Sequence, residues 1–291
     1  MPQETNLNVA PYFDDFDPQS NYYKVLFKPA YPVQARELNN LQSILQNQIE
    51  DMGTHFFKEG AKVIPGQLTY LPKFYAIQID SEFLGIPVDL YLDQLVGKKI
   101  TGATSGVTAK VVTYITDKES ERGVFTLYVD YYQSSSSDNS TQTFSDSEVL
   151  LTSDNITFAS TFIAAGEGFA RSLTLNSNAV GSAFALSEGV YFLRGFFVDV
   201  EDQILILDQY GNTPSYRIGL NVIESLISSD VDPSLNDNAR NFTNFTAPGA
   251  DRLEISAFLA KKESNDFNDQ NFVQLAEVQN GILRETNTAT D

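Results

Sequence analysis

The sequence contains one stretch with helical periodicity, and the chain after it has the residue pattern of β-strands. Together these two features limit the folds that the chain can adopt. Residues 32–57 read PVQARELNNLQSILQNQIEDMGTHFF, in which apolar residues recur at the spacing of one helix face. After Gly60 the pattern changes to short runs rich in Val, Ile, Tyr and Phe, separated by Gly, Pro, Asn and Ser. We therefore predict a mainly β protein that carries one long coiled-coil-like helix.

Six positions in this helix follow the alternating three- and four-residue spacing of a coiled-coil seam. They are Leu38, Leu41, Leu45, Gln48, Met52 and His55, and Ile44, Ile49 and Phe56 widen the apolar stripe. A symmetric bundle can pair the polar seam residues across its axis, whereas a monomer core needs a dedicated partner for each of them. We therefore predict an oligomerisation helix over residues 32–60, with Pro32 in the first turn. The alternative is a helix that packs on its own β domain.

Residues 1–31 alternate aromatic and polar side chains, and Pro11, Pro18 and Pro29 prevent a long regular element. We predict an extended N-terminal arm here. Its aromatic side chains are costly to leave in water, so we expect partner docking by Tyr12, Phe13, Phe16, Tyr22 and Tyr23. Two alternatives remain open, namely a terminus that stays unstructured and an arm that folds back on its own β domain.

The β region is predicted to contain a main domain, an insertion and a tail. The main β domain is expected to combine residues 61–96 with residues 161–262, and a hairpin turning at Glu201-Asp202 is expected near the centre of its core. Strand-like runs around a serine-rich loop predict an inserted small β-barrel-like module over residues 97–160. Residues 263–291 are expected to form a polar C-terminal tail that is only partly ordered.

Charge and composition exclude several classes of partner. The chain has 19 basic and 38 acidic residues, a formal net charge of -19. Such a surface repels phosphate backbones and anionic lipids, so we expect no nucleic acid partner and no membrane insertion. No apolar run approaches the ~20 residues of a membrane span, and the N-terminus lacks the pattern of a secretory signal, which predicts synthesis in a cytoplasm. The absence of Cys excludes disulfides and thiolate metal sites.

The sequence contains only weak matches to catalytic and ligand-binding motifs. A single histidine, His55, excludes His-based triads and His-based metal sites. The acidic clusters lack the spacing of a calcium loop, and no phosphate-binding glycine loop is present. We therefore predict a protein that is not an enzyme, with no catalytic residues, no cofactor and no metal. A polysaccharide-degrading enzyme stays open as an alternative, because a glycosidase needs only two suitably separated carboxylates.

Two stretches resemble a family of tailed-phage structural proteins of formally unknown function, found in large contractile-tailed phages including cyanophages. The first reads NYYKVLFKPAYPVQARELNNLQSILQNQIEDMGTHFFKEGAKVIPG, residues 21–66, and the second covers residues 187–262. The most distinctive part of the second is D-x-S-L-x-D-x-A at Asp232 to Ala239, followed by APGADR at Ala247 to Arg252.

The resemblance implies a virion component of the baseplate wedge or of the tail-fibre attachment region, made in the host cytoplasm. Such proteins commonly form trimers, so the implied partners are the chain itself, as a homotrimer, and other baseplate or tail-fibre proteins. No catalytic residue comes with the resemblance. The alternative function is a fibre protein or adhesin that binds host-surface glycans, for which Tyr131 and Tyr132 are candidates.

Overall fold

The helix forms where its periodicity predicts it, but it begins after Pro32. The computed structural model describes residues 3–64, 66–134, 140–158 and 161–286. Helix α1 spans Ala35–Phe56. A reciprocal cap closes its first turn, because the backbone N–H of Gln34 donates to Glu37 Oε2 at 3.0 Å and the N–H of Glu37 donates to the Gln34 carbonyl. Pro32 therefore precedes the helix, and the prediction that it lies in the first turn is wrong.

The other regular elements of the described chain are strands and short 3₁₀ turns, which confirms the mainly β prediction. The 3₁₀ turns are Pro18–Ser20, Val88–Leu90, Leu92–Leu95 and Pro233–Leu235. The first ten strands are β1 Lys62–Ile64, β2 Leu68–Ile79, β3 Glu82–Phe83, β4 Ile86–Pro87, β5 Lys99–Gly102, β6 Thr108–Ile115, β7 Phe125–Gln133, β8 Val149–Thr152, β9 Ile156–Phe158 and β10 Thr161–Ile163. The others are β11 Gly168–Arg171, β12 Asn178–Leu186, β13 Gly189–Leu193, β14 Phe196–Val200, β15 Gln203–Asp208, β16 Tyr216–Ile227, β17 Arg252–Glu263, β18 Phe272–Gln279 and β19 Ile282–Thr286.

An eight-stranded antiparallel sheet has the order β11-β8-β5-β6-β7-β2-β12-β15. The long strand β2 lies between β7 and β12, and its Ile77 is opposite Leu127 on one side and Asn178 on the other. A four-stranded sheet has the order β17-β16-β18-β19, and a three-stranded sheet the order β1-β13-β14. Two small hairpins, β3-β4 and β9-β10, complete the described pairings.

Strand β2 contributes to two hydrophobic cores. Its end at Ile77 and Ile79 belongs to a first core with Tyr91, Phe144 and Phe169. Its beginning packs, through Leu68 and Tyr70, against a second core that the four-stranded sheet helps to build; members of the second core include Phe184, Tyr191, Ile218, Leu220, Leu275 and Val278. The two cores are therefore joined by one continuous strand.

The barrel-like closure expected for residues 97–160 is not seen among the strands described for residues 97–134 and 140–158. Strands β5, β6, β7 and β8 are part of the eight-stranded sheet, and β7 pairs directly with β2. The first core begins at Ile77 and ends at Ala170, so the unit around it is wider than the predicted insertion. Because β2 continues the hydrogen-bonded ladder beyond β7, these strands extend a shared sheet and do not close on themselves.

The prediction of a polar C-terminal tail is wrong for the described part of residues 263–291. Strand β18 pairs antiparallel with β16 and buries Leu275, Ala276 and Val278. A two-residue turn then leads into β19, and both turn residues, Asn280 and Gly281, have positive φ values of 50° and 75°. Asn-Gly is the preferred sequence for such a hairpin turn. The tail is thus the second half of the four-stranded sheet.

The region around Glu201-Asp202 joins two sheets and is not a hairpin. Strand β14 pairs with β13, whereas β15 pairs with β12. The hairpin in this region turns instead at Arg194-Gly195, where both residues have positive φ values of 52° and 82°. The two apolar runs that flank Glu201-Asp202 therefore contribute to different sheets.

A close approach at Gly53 fixes α1 on the β structure. A β-carbon placed on Gly53 would lie 2.4 Å from Cε2 of Phe192. Phe192 is fully buried, and its ring lies 6.0 Å from that of Phe57 and 5.3 Å from that of Phe197. The helix approaches this aromatic group closely because it has no side chain at the contact.

We expect the substitution Gly53→Ala to lower the stability of the protein. Helix propensity alone favours Ala over Gly by about 1 kcal/mol, but overpacking a closed interior costs about 1–3 kcal/mol. Since the Phe192 ring is fully buried beside the rings of Phe57 and Phe197, we expect a net loss of about 1 kcal/mol in the free energy of unfolding, measured by urea denaturation. Thr54→Ala, on the neighbouring exposed position, is the control and should change stability by less than about 0.5 kcal/mol. A gain in stability for Gly53→Ala would contradict the close contact.

Candidate assembly interface

The side of α1 that faces the protein is mostly polar. Asn39 Nδ2 donates to the Tyr12 carbonyl at 3.0 Å, and Asn40 Nδ2 donates to Asp14 Oδ1 at 2.7 Å. The Ser43 hydroxyl donates to the other oxygen of Asp14, and Gln46 Nε2 donates to the Gly195 carbonyl at 2.9 Å. These directed bonds, together with the contact at Gly53, fix the rotation of the helix about its axis.

The predicted seam lies on the opposite side and faces solvent. Leu38, Leu41, Leu45, Gln48, Met52 and His55 are all exposed. Leu45 and Met52 are 55 % and 67 % exposed, although buried Leu and Met side chains contribute about 1.5–3 kcal/mol each. Ile49 and Phe56 extend this exposed stripe, but Ile44, which was assigned to it, is buried. Within the subunit, the helix therefore does not use its seam to pack on its own β domain.

The N-terminal arm divides into two parts, of which the first is fixed to its own subunit. The N–H groups of Glu4 and Thr5 donate to the Glu224 carboxylate at 2.9 and 2.8 Å. The Tyr12 hydroxyl donates to Asp251, and this hydrogen bond raises the pKa of Tyr12. Arg36 forms an exposed ion pair with Asp15 at 3.0 Å. Residues 3–16 thus follow the alternative in which the arm folds back.

The second part of the arm, residues 17–33, protrudes into solvent and is called the aromatic loop below. The hydrogen bonds described for it, such as Gln19 N–H to Asp17 Oδ1 at 3.0 Å, join residues within the loop. Its large exposed side chains are Tyr22, Tyr23, Leu26, Phe27, Tyr31 and Val33. The contact between Asp15 and Arg36 closes the base of this loop beside the start of α1.

The five predicted docking residues are therefore not equivalent. Tyr12 is committed to Asp251 of its own chain, and Phe16 is half-buried. Phe13 is 55 % exposed, with a φ of 47°. Tyr22 and Tyr23, in the aromatic loop, are 74 % and 66 % exposed. Among the five, the loop residues Tyr22 and Tyr23 expose the largest fraction of their surface.

A buried charged cluster holds the first part of the arm, and sequence reasoning missed it. The Arg194 side chain, 7 % exposed, pairs with Glu224 at 2.9 Å and with Glu4 at 3.1 Å. Arg194 also donates to the Asn271 side chain at 2.5 Å. These residues come from the β13-β14 turn, β16, the arm and the residue before β18. No local signal could have identified the cluster, because its members are far apart in the sequence.

The charge of Glu224 is maintained by its hydrogen bonds. Its side chain is 4 % exposed, and this burial raises the pKa of the carboxyl group. The hydrogen bonds from the Thr5 hydroxyl, from the N–H groups of Glu4 and Thr5 and from Arg194 outweigh that effect, so the net pKa of Glu224 is below its ordinary value. The arm and Arg194 therefore stabilise a carboxylate that burial would otherwise neutralise.

The structure places the metal-ligand and glycan-binding candidates apart from one another in the part of the chain that it describes. Among residues 3–64, 66–134, 140–158 and 161–286, no three acidic or His side chains are placed to hold a metal ion. The glycan candidates Tyr131 and Tyr132 do not form one exposed surface. Tyr131 is half-buried, and its hydroxyl donates to Asn178 at 3.2 Å, while Tyr132 is exposed under the Lys99 ammonium group, 5.8 Å from the ring centre. Within the described chain, no helix is both long and apolar enough to cross a membrane.

Comparison with known proteins finds one family model that matches part of the chain. A family model described as a Domain of unknown function (DUF4815) matches residues 10–82, about a quarter of the chain. The matched stretch begins in the arm, contains all of α1 and β1, and ends just after β2. No curated protein and no solved structure matches the chain.

Proposed function

We propose that this chain is a structural component of a phage tail, in the baseplate or at the tail-fibre attachment region, and that it acts by assembling with copies of itself and with neighbouring proteins. The single observation that carries the proposal is the solvent-facing seam of α1. The similarity of residues 21–66 and 187–262 to tailed-phage structural proteins supports the virion setting.

The helix has no way to bury its seam within the subunit. Its polar face is fixed by hydrogen bonds from Asn39, Asn40 and Gln46, and Gly53 is in close contact with Phe192. A rotation that turned Leu41 and Leu45 inward would break these contacts. A continuous exposed apolar stripe of this kind is typical of a protein–protein interface, so a second copy of the helix is the partner that the pattern favours.

The polar seam positions favour a parallel bundle. Gln48 and His55 are seven residues apart and so occupy the same heptad position. In a parallel bundle each of them meets its own counterpart near the axis. In an antiparallel pair they would face Leu45 or Met52, which leaves a polar group without a partner. A parallel homotrimer satisfies this condition and agrees with the resemblance.

If the protein is a tail component, it should be part of purified phage particles. We expect mass spectrometry of gradient-purified particles to detect its peptides in a fixed ratio to the major tail proteins, and immunogold labelling to mark the end of the tail. An abundant host cytoplasmic protein serves as the control for carry-over. Peptides found only in the soluble lysate, at the level of that control, would contradict the virion assignment.

A further inference from the structure

A groove runs along α1 beside the seam. Its volume is about 660 Å³, within the range of sites that hold several side chains. It lies between α1, the first part of the arm and the adjoining ends of β16 and β17. Its apolar lining consists of Leu7, Leu45, Ile49, Phe196, Leu226 and Leu253. Because Leu45 and Ile49 also belong to the exposed stripe of α1, the groove and the seam form one continuous surface.

We infer that this groove receives the aromatic loop of a second copy of the chain, so that neighbouring subunits exchange loops across the seam. This inference rests on the proposed self-association, and it identifies a contact that would stabilise the assembly. The loop offers aromatic and aliphatic side chains at Tyr22, Tyr23, Leu26 and Phe27, and these are exposed in the subunit. The groove offers an apolar surface of matching character on the same face of the protein.

The charges of the two surfaces are complementary. The aromatic loop contains Lys24, Lys28 and Asp17, two basic residues and one acidic, so its formal charge is +1 in a chain whose net charge is -19. The charged residues that line the groove are Asp14, Asp251 and Arg252, two acidic and one basic, so its formal charge is -1. A basic loop is therefore attracted to this groove while most of the protein surface repels other copies.

The distances permit exchange in a bundle formed through the seam. The loop has 17 residues between fixed ends, so its tip can reach about 25–30 Å from its base. The groove at Leu45 and Ile49 begins about 15–20 Å along the helix from Ala35. Neighbouring helices in a bundle are about 8–10 Å apart. The tip of one loop therefore reaches the groove of the adjacent subunit.

The absence of Cys allows a direct test with the double variant Phe27→Cys, Leu253→Cys in the full chain. Mild oxidation should link the loop of one subunit to β17 of another and give covalent dimers and trimers on a non-reducing gel. The matched control pairs Phe27→Cys with Leu175→Cys, which is exposed on the turn between β11 and β12 and lies outside the groove. We expect at least a tenfold lower yield of linked species for the control.

The outcomes separate this inference from the proposed function when light scattering is run on the unoxidised samples. Trimers that give covalent oligomers support both. Trimers that give only internally linked single chains, or no linkage, overturn loop exchange and leave self-association standing. Monomers overturn self-association and loop exchange together. As a second measurement, Tyr22→Ser with Tyr23→Ser should raise the dissociation constant of the trimer at least tenfold, and an unchanged constant would contradict a role for the loop.

Discussion

The double variant Leu41→Asp, Leu45→Asp is expected to be a monomer of 32.3 kDa under conditions in which the unaltered protein has three times that mass. In the subunit both leucines are exposed, so carboxylates there cost little in the isolated chain. In a closed seam the same carboxylates would be buried without a cationic partner, a cost of several kcal/mol for each ion. Light scattering coupled to size-exclusion chromatography at micromolar concentration measures the difference.

Circular dichroism decides whether the variant is a folded monomer. We expect its spectrum to match that of the unaltered protein, because the contacts that fix α1 involve its other face. Leu175→Asp, at a leucine that is 76 % exposed and far from α1 in sequence, is the control and should keep the trimer mass. An unaltered protein that is already monomeric, or a double variant that unfolds, would show that the seam residues do not form an interface between subunits.

The substitution Arg194→Met is expected to cause a large loss of stability, because the Arg194 side chain is buried beside a carboxylate. It removes the cation beside Glu224 and leaves a carboxylate that is 4 % exposed without a charged partner. Breaking a buried pair in this way costs about 3–5 kcal/mol. The measurement is the free energy of unfolding from urea denaturation. Lys262→Met, which breaks the half-exposed ion pair with Asp269, is the matched control and should cost less than about 1 kcal/mol.

Adding Glu224→Gln to Arg194→Met should recover part of the loss. The amide removes the buried charge, and its oxygen can still accept from the N–H groups of the arm. The pH dependence gives an independent check. Because the net pKa of Glu224 is lowered in the folded protein, its contribution to stability is present above the unfolded pKa, near 4.5, and is lost as the pH falls through the folded pKa. A double variant no more stable than Arg194→Met would contradict the assignment of the cost to the unpaired carboxylate.

The helix, and the set of residues that share its exposed face, could be predicted from the sequence because both depend on local periodicity. The spacing of Leu38, Leu41 and Leu45 determines which residues share a face, and the capping residues Gln34 and Glu37 are near in sequence. What the periodicity could not determine is which face packs on the β structure. The contacts of Asn39, Asn40 and Gly53 decide that, and they involve partners that only the folded chain brings close.

The strand pairings could be predicted only where the residues of a turn themselves specify a hairpin. Asn280-Gly281 is such a turn, and its sequence predicts the β18-β19 hairpin in place of a polar tail. The apolar run on either side of Glu201-Asp202 carries no such information, since a strand's hydrophobicity does not specify its sheet. The Arg194 cluster could not be predicted from local sequence either, because Arg194 is 30 residues from Glu224 and 77 residues from Asn271 in the chain.

The attachment of the arm to Glu224 sets an order of events on the ribosome. Glu4 is translated 220 residues before the carboxylate that its N–H group binds. At the usual 5–20 residues per second, the interval is on the order of ten to forty seconds. During that time the first part of the arm has emerged, with its apolar side chains, before the β16 carboxylate that binds it exists. The newly made chain is therefore open to chaperones, and to premature contact with other nascent copies, until the second core closes.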